Sequence, residues 1–377
     1  MRVAFYAPLK PPDHPVPSGD RRVARLLLKA IRRAGHKATI ASRLRARDGG
    51  ANVHKQEQIR RRGERLAERF IYRHRNNPPD LWFTYHLYHK APDWLGPTIS
   101  KAFSVPYIVA EASVAPKQAE GPWAMGHKAV CDAVRGATRI LVMNPDDAEC
   151  LEPLVTERNR LIALPPFIDT KPARYKATMR PDHREALAAR FGIDAASIWI
   201  TVTAMMRPGD KLESYQVLGR AMRQLQGLPI AWLIAGDGPA RDAVEATLKF
   251  PNTVFLGALD RAGVDTLHAA ADIAVWPAIR EAFGMALLEA QAAGLPVVAG
   301  ASPGVAQIVA NGDTGLLTPS GDDTMLAEAV RRLVDAPALR REMGKAAMRK
   351  AEEEHDMHAA TRRIDQALRD AQKAFAA

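Results

Sequence analysis

Short apolar runs alternate with longer segments of helical period along almost the whole chain. In the first half, Arg2–Pro8, Lys37–Ser42, Leu81–His86, Tyr107–Ser113, Arg139–Asn144 and Leu161–Phe167 predict strands. Stretches such as Arg21–Ala34 and Gln56–Arg75 predict amphipathic helices between them. The second half repeats the rhythm, with strands expected at Ser197–Met206, Ile230–Gly236, Thr253–Gly257, Ile273–Pro277, Pro296–Gly300 and Gly315–Thr318. Strands this apolar, each followed by a helix, are buried on both faces, as in parallel sheets covered by helices. The expectation is an α/β protein of two doubly wound, Rossmann-like domains. The break is placed near Asp169–Arg184, a polar segment with Pro172 and Pro181 and no apolar period. That gives domains at about 1–172 and 173–356, and the final stretch Ala336–Ala377 reads as two helical segments. Parallel sheets bind ligands beyond the carboxyl ends of their strands. Two such domains in tandem are expected to face each other across a cleft, with function in the loops after the strands.

Length agrees with two domains, since 377 residues exceed the usual single core. No apolar run approaches the roughly 18 residues needed to cross a bilayer. Met1–Pro8 is followed closely by Lys10, Pro11 and Pro12, and reads as a first strand rather than a signal peptide. Two cysteines, Cys131 and Cys150, make neither a disulfide framework nor a zinc site alone. A cytoplasmic location is the default expectation. Charge alters this picture in one respect. Residues 1–80 hold 20 Lys+Arg and 7 Asp+Glu, although the whole chain carries a formal +11. The basicity therefore belongs to the N-terminal fifth, and suggests a surface facing an anionic partner.

Candidate chemistry follows the strands. Ile279-Arg280-Glu281-Ala282-Phe283-Gly284-Met285-Ala286-Leu287-Leu288-Glu289-Ala290 comes after the strand at Ile273 and opens a helix. Free N–H groups and the positive dipole end at that helix start suit phosphate or sugar oxygens. Glu289 falls among apolar residues inside the helix, where a carboxylate needs a partner; two neighbouring hydroxyls of a sugar or ribose can supply one. Arg207 and Lys211, after the strand ending at Met206, can neutralise a diphosphate leaving group. Gly236 and Gly238 permit a tight turn and close ligand approach, but lack the full dinucleotide pattern. Ser18-Gly19-Asp20-Arg21, preceded by Pro17, is a glycine loop opening a helix, with Asp20 as its possible N-cap. Tyr85, His86, His89, Glu111 and Ser113 form a polar group after the N-terminal strands. The His86/His89 spacing offers no third metal ligand, and no metal site is expected.

With these residues assembled, the chain resembles the retaining glycosyltransferases of family 4, which have the GT-B fold. Glu281 through Glu289 looks like that family's paired-Glu signature, with seven residues between the two. Ala271-Asp272-Ile273, Gly294-Leu295-Pro296-Val297-Val298 and Gly312-Asp313-Thr314-Gly315-Leu316-Leu317 fit its flanks. The resemblance implies transfer of a sugar, hexosyltransferase-like, from a nucleotide-sugar donor (a UDP- or GDP-sugar by preference) to a glycan or lipid-linked acceptor. Configuration would be retained, with no cofactor and no metal. Arg207, Lys211 and Glu281 would carry the chemistry. Gly19, Gly236, Gly238, Phe283, Gly284, Met285 and Glu289 would hold the donor, Glu289 at the ribose hydroxyls. The C-terminal helix, about 357–377, would cross back to the first domain. Three positions depart from the pattern. The glycine loop has Gly19 alone, Gln307 stands where many members have Glu, and Glu111-Ala112-Ser113 stands where many have a His-Asp pair. Either Glu111 replaces that His or the acceptor chemistry differs, so His86 and Glu111 are possible acceptor-site residues.

Other classes stay open. Residues 54–75 read as a basic amphipathic helix, with Arg60, Arg61, Arg62, Arg65, Arg69 and Arg73 against Leu66, Phe70 and Ile71. Such a helix suits an anionic membrane surface, placing the protein at the inner face of the membrane. Nucleic acid has no motif beyond charge and is not expected. A nucleotide-sugar epimerase or a phosphorylase would share the architecture and differ in product.

Overall fold

A computed structural model describes residues 1–16 and 18–376, Ala376 in its backbone only; Pro17 and Ala377, each at the edge of a predicted segment, lie outside the described residues. The chain divides into two units, Met1–Pro165 with Met357–Ala377, and Pro166–Asp356.

In the first unit, β1 (Arg2–Tyr6), β2 (Lys37–Ser42), β3 (Leu81–Leu87), β4 (Tyr107–Ala112), β5 (Arg139–Val142) and β6 (Leu161–Ala163) form one parallel sheet. Its order is β2-β1-β3-β4-β5-β6. Val3 pairs with Ala38 on one side and Leu81 on the other. The apolar runs behave as burial on both faces demands: every residue of β4 is buried. Phe5 and Phe83 stack with ring centroids 5.5 Å apart. Strand order reverses between β1 and β3, and ligands of open α/β sheets bind at such a switch point. The helix Met357–Ala376 packs on Gly19–Arg33 within this unit. His36 Nε2 lies 2.8 Å from Asp365 Oδ1, and the Gln372 amide donates to the Asp80 carbonyl at 3.1 Å.

The helix Val53–His74 corrects one expectation. Its apolar side is not available to lipid, because Leu66, Phe70 and Ile71 pack against the unit's core. Phe70 meets Trp82 edge to face at 5.4 Å. What remains outward is charge: Arg61, Arg62, Arg65, Arg69 and Arg73 are exposed.

In the second unit, β7 (Ile198–Thr203), β8 (Ile230–Ala235), β9 (Thr253–Gly257), β10 (Ile273–Trp276), β11 (Val297–Gly300) and β12 (Gly315–Thr318) form the second parallel sheet. Read from β9, the order is β9-β8-β7-β10-β11-β12. This is the strand order 3-2-1-4-5-6 of dinucleotide-binding folds, with its switch point between β7 and β10.

The polar segment at the expected break between the halves is helical. Lys171–Ala177 and Arg180–Phe191 each carry a proline in the first turn, Pro172 and Pro181. Proline lacks an N–H where a helix start needs none, so these prolines mark helix beginnings. Neither helix has a strong apolar face, yet both pack on Arg261–Ala270. Arg180 and Arg184 reach Asp272 at 2.6 and 3.0 Å. Residues 166–172, assigned above to the first domain, sit in the second unit. The Ile168 N–H donates to the His355 carbonyl at 2.9 Å, and the Thr170 hydroxyl to Asp356 at 2.7 Å.

Candidate functional site

At the switch point of the second sheet, the loops after β7 and β10 lie side by side. Lys211, in the first turn of the helix Asp210–Gln224, pairs with Glu281 from the β10 loop. The Trp276 indole N–H donates to the same Glu281 oxygen at 3.1 Å. The Lys211 ammonium stands 5.0 Å from the Trp276 ring centroid, within cation–π range. The Ser302 hydroxyl donates to the Glu281 carbonyl at 2.9 Å, and the Ile279 N–H to the Ser214 hydroxyl at 3.1 Å. Arg280 is turned outward, with Asp210 at 2.6 Å and Glu213 as its partners. The β10 loop is thus fastened to two neighbouring elements, and Glu281 is fixed between a cation and an indole. Arg207 is exposed in the β7 loop and contributes to none of these contacts.

The loop then turns into the helix Met285–Ala292. Gly284, its N-cap, has φ +69°, a conformation that glycine adopts at little cost. The Gly284 carbonyl accepts from Leu287 and Leu288. The N–H groups of Phe283, Gly284 and Met285 have no acceptor among the described residues. A row of open donors at a helix start is a place for an anion or for sugar oxygens. Gly304 makes the loop's position possible, because a Cβ there would collide with the Ala282 carbonyl.

Glu289 is buried, at 3% exposure, in the middle of that helix. Its carboxylate is met by Arg261 at 2.6 Å. No motif points to this partner, which lies 28 positions earlier on another helix. Gly236 and Gly238 have a packing reason of their own: a Cβ at either would run into the Ala204 or Met206 carbonyl. The β8 loop is held there by Met206 N–H to Asp237 O at 3.0 Å and Ala240 N–H to Met206 O at 3.0 Å.

A second polar centre occupies the switch point of the first sheet. His86, near the end of β3, has its Nδ1 at 3.1 Å from Asp20 and 3.5 Å from Glu111. His86 and Glu111 both adopt left-handed backbone, φ +61° and +59°. Such conformations cost side chains with a Cβ about 1–3 kcal/mol each and collect at functional sites. Burial alone would depress His86, but Glu111 and Asp20 overcome it and raise its pKa to about 9. Burial raises the pKa of Glu111 despite the facing His86. Burial likewise raises Asp147, which Ser113 partly offsets. Asp20 goes the other way: burial pushes it up, and the His86 contact pulls it below the usual range. Asp20 is therefore not the N-cap. That place belongs to Ser18, which accepts from the Arg21 N–H at 3.2 Å. Gly19 opens the same helix, and a Cβ there would meet nothing within 4 Å. His89 stands apart, its ring 5.6 Å from that of Trp123. Among the described residues, no three His, Cys, Asp or Glu side chains cluster as a metal site.

The surrounding unit serves as a contrast. Asp93, also buried, receives the N–H groups of Leu95 and Gly96 and the hydroxyls of Thr84 and Tyr107, all within 3.1 Å. That carboxylate anchors structure. The carboxylates around His86 face a titratable group instead.

Known proteins resemble this chain in the sequence of its second unit and in fold. Residues 209–350 match the family model for glycosyl transferases group 1. D-inositol 3-phosphate glycosyltransferase of Rhodococcus erythropolis is 30% identical over 233 residues, 58% of this chain and 51% of that protein. The chain spans about half the length of such curated relatives. Sucrose-phosphate synthase of Thermosynechococcus elongatus superposes with a TM-score of 0.73 at 21% identity, covering 98% of each chain. Anabaena HepE in complex with UDP and glucose gives 0.73 at 15% identity, covering 98% of this chain and 99% of that one. No helix among the described residues is long and apolar enough to cross a membrane. The chain has the GT-B fold, and its residues 209–350 match the glycosyl transferases group 1.

Proposed function

We propose that this protein is a glycosyltransferase that takes a sugar from a nucleotide-sugar donor with retention of configuration. The observation that carries the reading is the Lys211–Glu281–Trp276 constellation at the β7/β10 switch point, beside the open N–H groups of Phe283, Gly284 and Met285. Lys211 and Arg207 supply positive charge for the departing diphosphate without recourse to a metal. Glu281 contacts the transferred sugar. Glu289 accepts from the ribose hydroxyls, and Gly236 and Gly238 bring backbone close to the nucleotide. In the reaction the bond between the anomeric carbon and the phosphate oxygen breaks, a bond to the acceptor oxygen forms, and the acceptor hydroxyl passes its proton to the departing phosphate oxygen. The electron pair of the broken bond leaves on the nucleoside diphosphate.

The acceptor belongs to the first unit in this reading, near His86 and Glu111, and is a glycan or a lipid-linked molecule. The exposed arginines of Val53–His74 support an anionic membrane surface as a further partner. UDP- and GDP-sugars are the donors to test first, UDP favoured by the likeness to HepE, whose structure holds UDP and glucose. Purified protein, with EDTA present, is expected to release nucleoside diphosphate from one donor class. A donor and acceptor panel that yields no turnover, together with no nucleoside diphosphate binding, overturns the reading. Product analysis excludes the epimerase and phosphorylase alternatives when a glycoside forms.

A further inference from the structure

The helix Arg261–Ala270 follows β9 and begins with a residue that no motif singles out. Asp260 caps it, accepting from the Gly263 N–H at 2.8 Å. The Arg261 guanidinium is 40% exposed, but its fork reaches inward to two carboxylates that are each only 4% exposed. One nitrogen lies 2.8 Å from Asp265 Oδ1, and the other 2.6 Å from Glu289 Oε1. His268, on the same helix, is buried and lies 3.1 Å from the Thr203 hydroxyl at the end of β7. The assembly therefore ties β7, the helix after β9 and the helix after β10 together beneath the donor-side loops.

Two buried carboxylates around one guanidinium are a costly arrangement, since ionised groups out of water need pairing and good geometry. A planar fork with fixed donor directions is suited to it in a way that a flexible ammonium is not. The geometry also settles how Glu289 can act. One of its oxygens is spent on Arg261, and the rotamer is fixed by that bond and by the apolar residues flanking it on its helix.

We infer that Arg261 is a positioning residue that aims the Glu289 carboxylate at the ribose 2′- and 3′-hydroxyls of the donor, and so sets the preference for a ribonucleotide over its 2′-deoxy counterpart. This rests on the reading of Glu289 as the ribose contact. Arg261 touches no substrate in it. Without the fork, Glu289 loses its orientation, and a ribose hydroxyl gains nothing over a hydrogen at the same place.

The test is a titration of UDP against 2′-deoxyuridine diphosphate, and of GDP against 2′-deoxyguanosine diphosphate, by calorimetry or thermal shift. Wild type is expected to prefer the ribo form of its nucleotide about tenfold, the worth of one hydroxyl hydrogen bond to a charged group. Glu289→Gln and Arg261→Ala should both bring the ratio to within about twofold. Arg261→Lys keeps the charge and lacks the fork, and is expected to fall between; it also serves where Arg261→Ala fails to fold. With saturating acceptor and varied donor, Arg261→Lys should raise the donor KM more than it lowers kcat. If Arg261→Lys and Arg261→Ala keep the tenfold ratio while Glu289→Gln abolishes it, the positioning role is wrong and the Glu289 reading stands. If wild type does not discriminate, or if no nucleoside diphosphate binds, the inference is overturned together with the reading beneath it.

Discussion

The two switch points of this molecule are built in opposite ways. In the second unit each carboxylate that matters is matched to a cation: Glu281 to Lys211, and Glu289 to Arg261. In the first unit one imidazole, His86, stands against Asp20 and Glu111, and its pKa also feels Asp147. The backbone differs as well. At the second sheet's switch point the non-glycine residues with left-handed backbone are Ala278 and Arg280, in the loop that delivers Glu281, whereas on the first sheet they are the polar residues themselves, His86 and Glu111. The lesson concerns what each site must hold. A carboxylate paired with a cation has its charge compensated and its direction fixed; in the proposed function it receives hydroxyls beside a cation that takes phosphate charge. An imidazole among carboxylates holds a proton, and its state answers to pH. The paired site carries the Glu281-to-Glu289 spacing on which the resemblance rests. The imidazole site is where the pattern lapses, at Glu111-Ala112-Ser113.

The largest expected effect tests the paired site. Lys211→Ala removes the cation from Glu281 and from the leaving phosphate together. Loss of one preorganised charge partner is worth about 10²–10³ in kcat. Nucleoside diphosphate release, measured alongside a circular dichroism melt, should show that loss with the fold intact. A variant that keeps more than about a tenth of wild-type turnover would remove Lys211 from the chemistry, and with it the contrast between the two switch points.

Next in size is Gly304→Ala. A Cβ at this position collides with the Ala282 carbonyl, so the loop carrying Glu281 must move. Overpacking that forces the backbone to shift typically costs about 1–3 kcal/mol. The thermal melt should drop and donor affinity with it. The equivalent change at Gly19, where a Cβ meets nothing, should leave the melt unchanged. Equal responses at the two glycines would mean that the loop geometry, and not the residues on it, is wrongly placed.

How much of this was legible beforehand depends on how far each feature reaches along the chain. The twelve strands were visible because a strand buried on both faces must be apolar along its own length; β2, β9 and β12 have the expected limits. Glu281, Glu289 and Lys211 stood in a recognisable spacing. Trp276 was read only as part of a strand, because its bond to Glu281 depends on the turn of the loop that follows. Arg261 was invisible: strand order brings its helix beside Glu289, and linear distance does not. The prolines at 172 and 181 misled for a simpler reason. Proline interrupts a helix interior and favours a helix start, and without a strong apolar period nothing distinguished the two cases.

The imidazole site makes its own prediction. An imidazole whose pKa rises on folding stabilises the fold fully below its ordinary value of 6.5, and that contribution is lost as pH rises through about 9. Stability should therefore decline across that window. His86→Asn should flatten the decline while lowering stability below pH 6.5. A denaturant melt at half-unit pH steps, comparing wild type with His86→Asn, checks this. Parallel curves would mean that His86 is neutral in the fold.

The smallest effect belongs to the outer face of Val53–His74. Arg60 and Arg61 are already neutralised by Glu57 and Glu64, at 2.6–2.7 Å. Arg62, Arg65, Arg69 and Arg73 are exposed at three- and four-residue spacing, so they share one side of the helix. The apolar side is spent on the core, hence any attachment to lipid must be electrostatic. A single arginine near an anionic surface contributes about 1 kcal/mol, which is about fivefold in affinity. Arg69→Gln should weaken co-sedimentation with phosphatidylglycerol-rich vesicles by that factor at low salt. It should leave the melt and the turnover of a soluble acceptor unmoved. Raising the salt should erase binding for both proteins, since exposed charges are screened within roughly 8 Å at physiological ionic strength. Binding that survives high salt would require apolar insertion, and insertion would require Leu66, Phe70 and Ile71 to leave the core they pack against.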